Sequence, residues 1–325
     1  MLRKICFIVL AVMFFAVPLL WSPARNWVPG GAVISGGVFA VIWGNPFVGY
    51  TGKITSPMLG ATIVGMGCGM NLIEVIHAGT SGFLYTMIGI IAGIGCGVAI
   101  GKKMKLPKNA TYLVSVGTSI CGGSAIAAAA PALNAKAHEV AMASATVFAL
   151  NAVALLIFPA IGHALGFSQE QFGFFAALAI HDTSSVVGAA FQYGEEALKI
   201  GTIVKLARAL WIVPVTLFLA CFVVGKSTDD EKRKLKLRVP WFIPGFLIAA
   251  AVVTWMPGLQ SAGAWIKELS KYLMVVTLFF IGANLDRRNQ KELGIRPVIH
   301  GVILWMILAS FWCIAIHSGM INCTL

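Results

Sequence analysis

Three polar stretches interrupt segments that are otherwise apolar enough to cross a bilayer: Gly117-Thr-Ser-Ile-Cys-Gly-Gly-Ser124, His181-Asp-Thr-Ser-Ser185, and Lys205 with Arg208. Polar and ionisable groups are costly at membrane depth, so they more readily mark a substrate or ion path than persist as passengers. In the first stretch Gly117, Gly122 and Gly123 lie among Thr118, Ser119 and Ser124. Each glycine costs roughly 1 kcal/mol in a helix interior relative to Ala, so the cluster favours local unwinding. Unwinding frees backbone N–H and C=O groups, which membrane depth tolerates only around a protein-lined cavity. Close helix packing is the competing reading, because small residues continue through Ala130.

Asp182 is the one carboxylate placed deep in a span, and His181, Thr183, Ser184 and Ser185 around it can hydrogen-bond it or solvate an ion. That set suits coupling to H⁺ or Na⁺; the plainer alternative is an ion pair that locks two helices. Lys205 and Arg208 are three residues apart and therefore share a helix face. If Asp182 neutralises one of them, the other is a spare positive charge, and such a charge in a polar cavity selects anions. Arg presents a planar fork to an oxyanion, whereas Lys acts as a movable point charge. The expected division of labour has Lys205 and Arg208 attracting an anion that Ser119, Gly122, Gly123, Ser124, Thr183 and Ser184 contact. His181 and Asp182 then carry the ion coupling.

Composition says what positions these residues. The 325-residue chain is 58% hydrophobic and 11% charged, with mean hydropathy +0.87, against roughly 25% charged residues in soluble domains. This is an all-α polytopic membrane protein, read as a single integral membrane domain. The net charge of +12 lies in short clusters beside apolar segments, which reads as topology and argues against nucleic acid. Cys68, Cys96, Cys121 and Cys221 lack metal-ligand spacing and read as small buried residues, so no metal or other cofactor is expected. A Walker A loop, an H-E-x-x-H helix and a G-x-S-x-G elbow are all missing, which removes support for ATP-driven transport and common hydrolase chemistry.

Apolar runs bounded by Gly, Pro or charge lie at about 5–23, 27–45, 57–77, 81–101, 109–134, 139–165, 170–193, 197–225, 239–257, 264–285 and 296–318. The first, preceded by Arg3 and Lys4, reads as a retained helix because no convincing cleavage site follows it. With the N-terminus inside, the cytoplasmic side receives Lys102, Lys103, Lys105, Lys108, the loop Lys226 to Arg238, and Arg287, Arg288, Lys291 and Arg296. The outside receives few cations, so eleven spans give an N-in, C-out arrangement unless a polar span is a re-entrant hairpin. The connector 226–238 reads as a boundary between two helical bundles and is basic enough to touch anionic lipid. Gly69-Met-Asn-Leu72 and Gly282-Ala-Asn-Leu285 end spans that run in opposite directions, a weak inverted repeat of the kind secondary transporters use. A homo-oligomer is compatible with all of this.

The blocks VGTSICGGSAIAAAAP (116–131), FPAIGHALGFSQEQFG (158–173), AIHDTSSVVGAA (179–190) and VKLARALWIVP (204–214) resemble the YeiH family of bacterial inner-membrane proteins, which carries the label of sulfate exporters. The resemblance implies a fold related to the cation/proton antiporter and anion transporter group, with inverted repeats and crossed, interrupted helices in the inner membrane. It brings no residue-level mechanism with it. The expected function is a secondary transporter of a small anion, with sulfate or a related sulfur oxyanion leading. A cation/proton antiporter built on Asp182 and an intramembrane lipid-modifying enzyme using His181 and Asp182 remain as alternatives.

Overall fold

A computed structural model describes residues 2–20, 28–219, 241–284 and 295–321. The described residues form fourteen α-helices and a single 3₁₀ turn, and no strand. In chain order the helices are α1 (Leu2–Leu20), α2 (Val28–Trp43), α3 (Val48–Gly67), α4 (Leu72–Lys103), α5 (Lys108–Ser119), α6 (Gly123–Ala132) and α7 (Ala137–Ala164), then α8 (Gln169–Ala179), α9 (Thr183–Tyr193), α10 (Glu195–Ala209), α11 (Ile212–Phe218), α12 (Phe242–Trp255), α13 (Gln260–Ala283) and α14 (Ile295–His317). Four stretches are long and apolar enough to cross a membrane: α4, His138–Ala164, Glu195–Phe218 and α14. A fifth is added if α12 and α13, which meet at 111°, count as one bent span.

The chain divides into two compact units. The first comprises residues 1–77, 191–194 and 240–288. In it α3 packs on α13, while α2 lies against α13 and α12 against α3. The α2–α13 approach is backbone to backbone: a Cβ on Gly36 would collide with the Phe279 carbonyl, and one on Gly282 with the Val33 carbonyl. Where lipid offers no hydrophobic drive between helices, small residues of this kind let dispersion and packing hold them together. Phe7 sits among Phe39, Phe47, Phe279 and Phe280, with ring centroids 5.0–6.1 Å apart, and fills the side of this pair that α1 covers.

The second unit holds residues 78–190, 195–239 and 289–325. Here α5 runs along α4 on a ladder of small residues. Gly93, Gly97 and Gly101 are so close to Ser119, Ser115 and Thr111 respectively that a Cβ on any of the three would strike the facing side chain. Both series repeat every four residues, which keeps each on one helix face. Helices α8 and α10 pack together, and α14 covers α5, α7 and α8.

Several expected boundaries move. Residues 57–77 do not form one span: the helix ends at Gly67 and a new one starts at Leu72, because Asn71 Oδ1 accepts the Ile73 N–H (2.9 Å) and caps α4. The gap expected between the runs 57–77 and 81–101 lies inside the 32 residues of α4. Lys53, which falls between the expected runs 27–45 and 57–77, sits in α3. The connector 226–238 and the cluster Arg287, Arg288 and Lys291 fall outside the described residues.

Candidate functional site: two helix breaks that meet

The span at 109–134 is interrupted, as the glycines suggest. α5 stops at Ser119 and α6 starts at Gly123; between them Ile120 leaves helical geometry (φ −118°, ψ −91°) and Gly122 takes φ +68°, a conformation that strains any residue with a Cβ. The span at 170–193 is interrupted too, between Ala179 and Thr183, where Ile180 is extended (φ −91°, ψ 140°). The two breaks touch, since a Cβ on Gly122 would stand 3.1 Å from Asp182 Cβ.

A helix end leaves four carbonyls without intrahelical partners, and here two such ends are buried together. Lys205 and Arg208 of α10 supply the donors. Lys205 Nζ donates to the carbonyls of Ile120 (3.1 Å), Ile180 (2.7 Å) and Ala177 (3.4 Å). Arg208 Nε donates to Ser119 O (2.9 Å), Nη1 to Ala177 O (3.0 Å) and Leu178 O (2.8 Å), and Nη2 to Ser119 O (2.5 Å) and Thr118 O (3.5 Å). Trp305 Nε1 of α14 takes the remaining carbonyl of α8, Ala179 O, at 3.1 Å. Both cations are fully buried, at 0% and 2% exposure. Three acceptors and no donor face Lys205 Nζ, an arrangement that uses all three N–H groups of an ammonium and gives a neutral amine's lone pair nothing to accept.

This placement differs from the expectation that Lys205 and Arg208 present their donors to a ligand, because those donors are committed to backbone carbonyls. Neither cation pairs with Asp182. Asp182 instead sits ahead of α9 and accepts the Ser185 N–H through Oδ1 (3.3 Å), as an N-cap does. Ser119 joins the site through its carbonyl, while its hydroxyl faces Gly93 and has no partner. Gly123 lies against the Phe148 ring, and Ser124, in the first turn of α6, is exposed. Thr183 and Ser184 form the first turn of α9, with Thr183 buried and Ser184 half-buried.

His181 is buried in the α8–α9 break, with both ring nitrogens unpartnered; the Val147 backbone lies beside it, short of hydrogen-bond geometry, and the Trp305 ring is 6.3 Å away. Asn151 of α7, which sequence reasoning passed over, ties this break down. Its Oδ1 accepts from the backbone N–H groups of His181 (3.0 Å) and Asp182 (3.4 Å). The signal was present in the sequence, an amide in the middle of the apolar run FALNAVALLIF. No group of three or more His, Cys, Asp or Glu side chains able to hold a metal occurs among the described residues.

The charges at the crossing can be added. Each helix end carries about half an elementary charge, negative at a C-terminus and positive at an N-terminus. The ends of α5 and α8 contribute about −1 against the +2 of Lys205 and Arg208, and the starts of α6 and α9 contribute about +1 against the −1 of Asp182. Roughly one positive charge is left over. α6 has no side-chain cap, and α9 keeps the N–H groups of Thr183 and Ser184 outside the Asp182 cap, so the polar groups left open are N–H groups and not carbonyls.

Residues 38–301 match the family described as Conserved hypothetical protein 698. A UPF0324 membrane protein of Bdellovibrio bacteriovorus is 48% identical over 322 residues, covering 99% of this chain and 96% of that protein. Similar proteins of Bacteroides thetaiotaomicron and Geobacter sulfurreducens, also UPF0324 membrane proteins, are each 43% identical and cover 89% and 92% of this chain and 86% and 94% of their own lengths. No solved structure matches.

Proposed function

We infer that this chain, which belongs to the UPF0324 (YeiH) family of membrane proteins, is a secondary transporter of a small anion, with sulfate or a related sulfur oxyanion the leading substrate. The observation that carries the reading is the meeting of the two helix breaks. The negative helix ends there are neutralised with charge to spare, and N–H groups at the positive ends of α6 and α9 stay open. A ligand entering this place meets N–H groups in a net positive field, and an anion answers both.

Transport in this reading works by alternating access across the inner membrane, with eleven spans, the N-terminus cytoplasmic and the C-terminus opposite. The hairpins α2–α3 and α12–α13 support inverted repeats, because α3 pairs with α13 and each outer helix lies on the other hairpin's inner helix. Asp182, with His181 beside it, couples flux to H⁺ or Na⁺. The substrate leaves chemically unchanged, which separates a transporter from a lipid-modifying enzyme.

Uptake by purified protein in liposomes tests this directly, against sulfate, sulfite, thiosulfate, sulfonates, carboxylates and Na⁺. Saturable flux of an oxyanion supports the reading; flux of Na⁺ alone, exchanged for protons and indifferent to every anion, transfers the site to a cation/proton antiporter. Reporter fusions at residues 238 and 325 test the orientation. Opposite compartments are expected, and the same compartment for both removes one span.

A further inference from the structure

We propose that Asn151 is a substrate-binding residue which holds a dehydrated, fully ionised oxyanion through its uncharged amide N–H₂, with the His181 ring as a second donor. This rests on the transport reading above and names the ligands of its site. The fold uses one end of the Asn151 side chain only. Both groups bonded to it are backbone N–H donors, so the oxygen must face them and the amide cannot be flipped. Nδ2 then points away from that contact, buried at 3% exposure, with no partner. Burying an amide N–H₂ without an acceptor is costly, and the capping of His181 and Asp182 does not require it.

The neighbouring groups leave the same kind of bond unmade. His181 is 2% exposed with both ring nitrogens unpartnered. The first turn of α9 offers the N–H groups of Thr183 and Ser184, which have no intrahelical acceptor, while Ser185 and Val186 are taken by Asp182. These are hydrogen-bond donors brought together by one helix break. A cation would meet hydrogens there. A protonated acid would have to give its own hydrogen to Asp182. An oxyanion with several unprotonated oxygens accepts from all of them, and Lys205 and Arg208 supply the supporting field from behind the helix ends without touching it.

Asn151→Asp separates the two ends of the side chain. One carboxylate oxygen replaces Oδ1 and keeps the bonds to His181 and Asp182, and the other replaces the donor with a negative acceptor. With the full-length protein in detergent, and sulfate as probe at constant ionic strength, wild type should be thermally stabilised by sulfate. Asn151→Asp should bind it about ten- to hundredfold more weakly at about pH 8, the loss expected for one hydrogen bond to a charged group. At about pH 5 part of the affinity relative to wild type should return, because the introduced carboxyl, once protonated, regains a donor while sulfate stays a dianion. A merely structural residue would show no such recovery. A folded Asn151→Asp that binds sulfate as tightly as wild type overturns the inference and leaves the transport reading standing. Wild type that neither binds nor carries any anion of the panel brings down both. Should the variant fail to fold, crystals of wild type grown with selenate decide: a selenium peak that places a selenate oxygen within hydrogen-bond distance of Asn151 Nδ2 is expected, and a peak elsewhere overturns the assignment.

Discussion

The two units solve the same problem, polar groups buried in an apolar protein, in opposite ways. In the first, Asn284 Oδ1 accepts from Asn45 Nδ2 (2.9 Å) and Thr51 Oγ1 (2.6 Å), and Asn284 Nδ2 donates to Thr55 Oγ1 (3.1 Å). Asn45 Oδ1 in turn takes the Phe47 N–H at 2.9 Å. The network is neutral and closed, and it joins the ends of α2, α3 and α13. In the second, two full charges are buried at the crossing of two broken helices. There the helix-end carbonyls are satisfied while side chains are left wanting. Among the described residues, every buried side-chain nitrogen or oxygen without a partner lies in this second unit, Asn151, His181, Thr118 and Ser119 among them. A closed network makes a frame, and an open one makes a site.

The largest expected effect breaks the capping. Lys205→Met strips the donor from the carbonyls of Ile120 and Ile180, while Ala177 O keeps Arg208 Nη1. Each orphaned buried carbonyl costs about 1–3 kcal/mol, so the two together reach the lower end of the roughly 5–15 kcal/mol that holds a domain together. Size-exclusion profiles should show little monodisperse protein. A Lys205→Met variant with wild-type yield and melting temperature would mean that the ammonium is not needed by the helix ends and is free to serve a ligand. Next in size are the glycines. Gly282→Ala forces a methyl onto the Val33 carbonyl, backbone that cannot rotate away, whereas Gly93→Ala meets the Ser119 hydroxyl, a side chain and not backbone. Overpacking costs about 1–3 kcal/mol. Thermal unfolding should place Gly282→Ala at the top of that range or above it and Gly93→Ala at the bottom. Equal shifts would remove the distinction between a rigid frame and a yielding ladder.

Asn284→Ala should cost about 1–3 kcal/mol, since it leaves Asn45, Thr51 and Thr55 short of partners. It should leave anion affinity unchanged. Calorimetry with sulfate checks the second half, and a weakened affinity would mean the frame's network is part of the site.

What the sequence made legible was what local chemistry decides. Gly122 and Gly123 in an apolar run pointed to a break, with close packing as the competing reading, because adjacent glycines are costly in a helix interior, and Asp182, Lys205 and Arg208 stood out because charge is expensive in lipid. The break at Ile180 to Asp182 was invisible as a break: no glycine or proline marks it, and it is held open by Asn151, Lys205, Arg208 and Trp305 from three other helices. The surroundings of the cations were hidden for a related reason. A sequence shows a charge but not the carbonyls that will surround it, so Lys205 and Arg208 looked available when the fold had already committed them. The paired Gly-x-Asn-Leu motifs were visible as a repeat, yet their asparagines do different work, Asn71 capping α4 and Asn284 closing the network of the first unit.

The smallest change in stability comes with the most informative change in function. Asp182 accepts the Ser185 N–H as the N-cap of α9, and Asn caps about as well as Asp, so Asp182→Asn should shift stability by only a few tenths of a kcal/mol. The substitution does remove one negative charge from a crossing whose sum is already about +1. An anion should therefore bind Asp182→Asn more tightly than wild type, whereas a cation would lose its one carboxylate and bind more weakly. Flux should lose its dependence on imposed H⁺ or Na⁺ gradients, because the group able to take and release a cation is gone. Sulfate titrations and gradient-driven uptake on the same reconstituted preparation read both effects. Tighter anion binding with unchanged gradient dependence would leave Asp182 as a cap alone. Weaker anion binding would mean that the carboxylate, and not the open helix ends, organises the site.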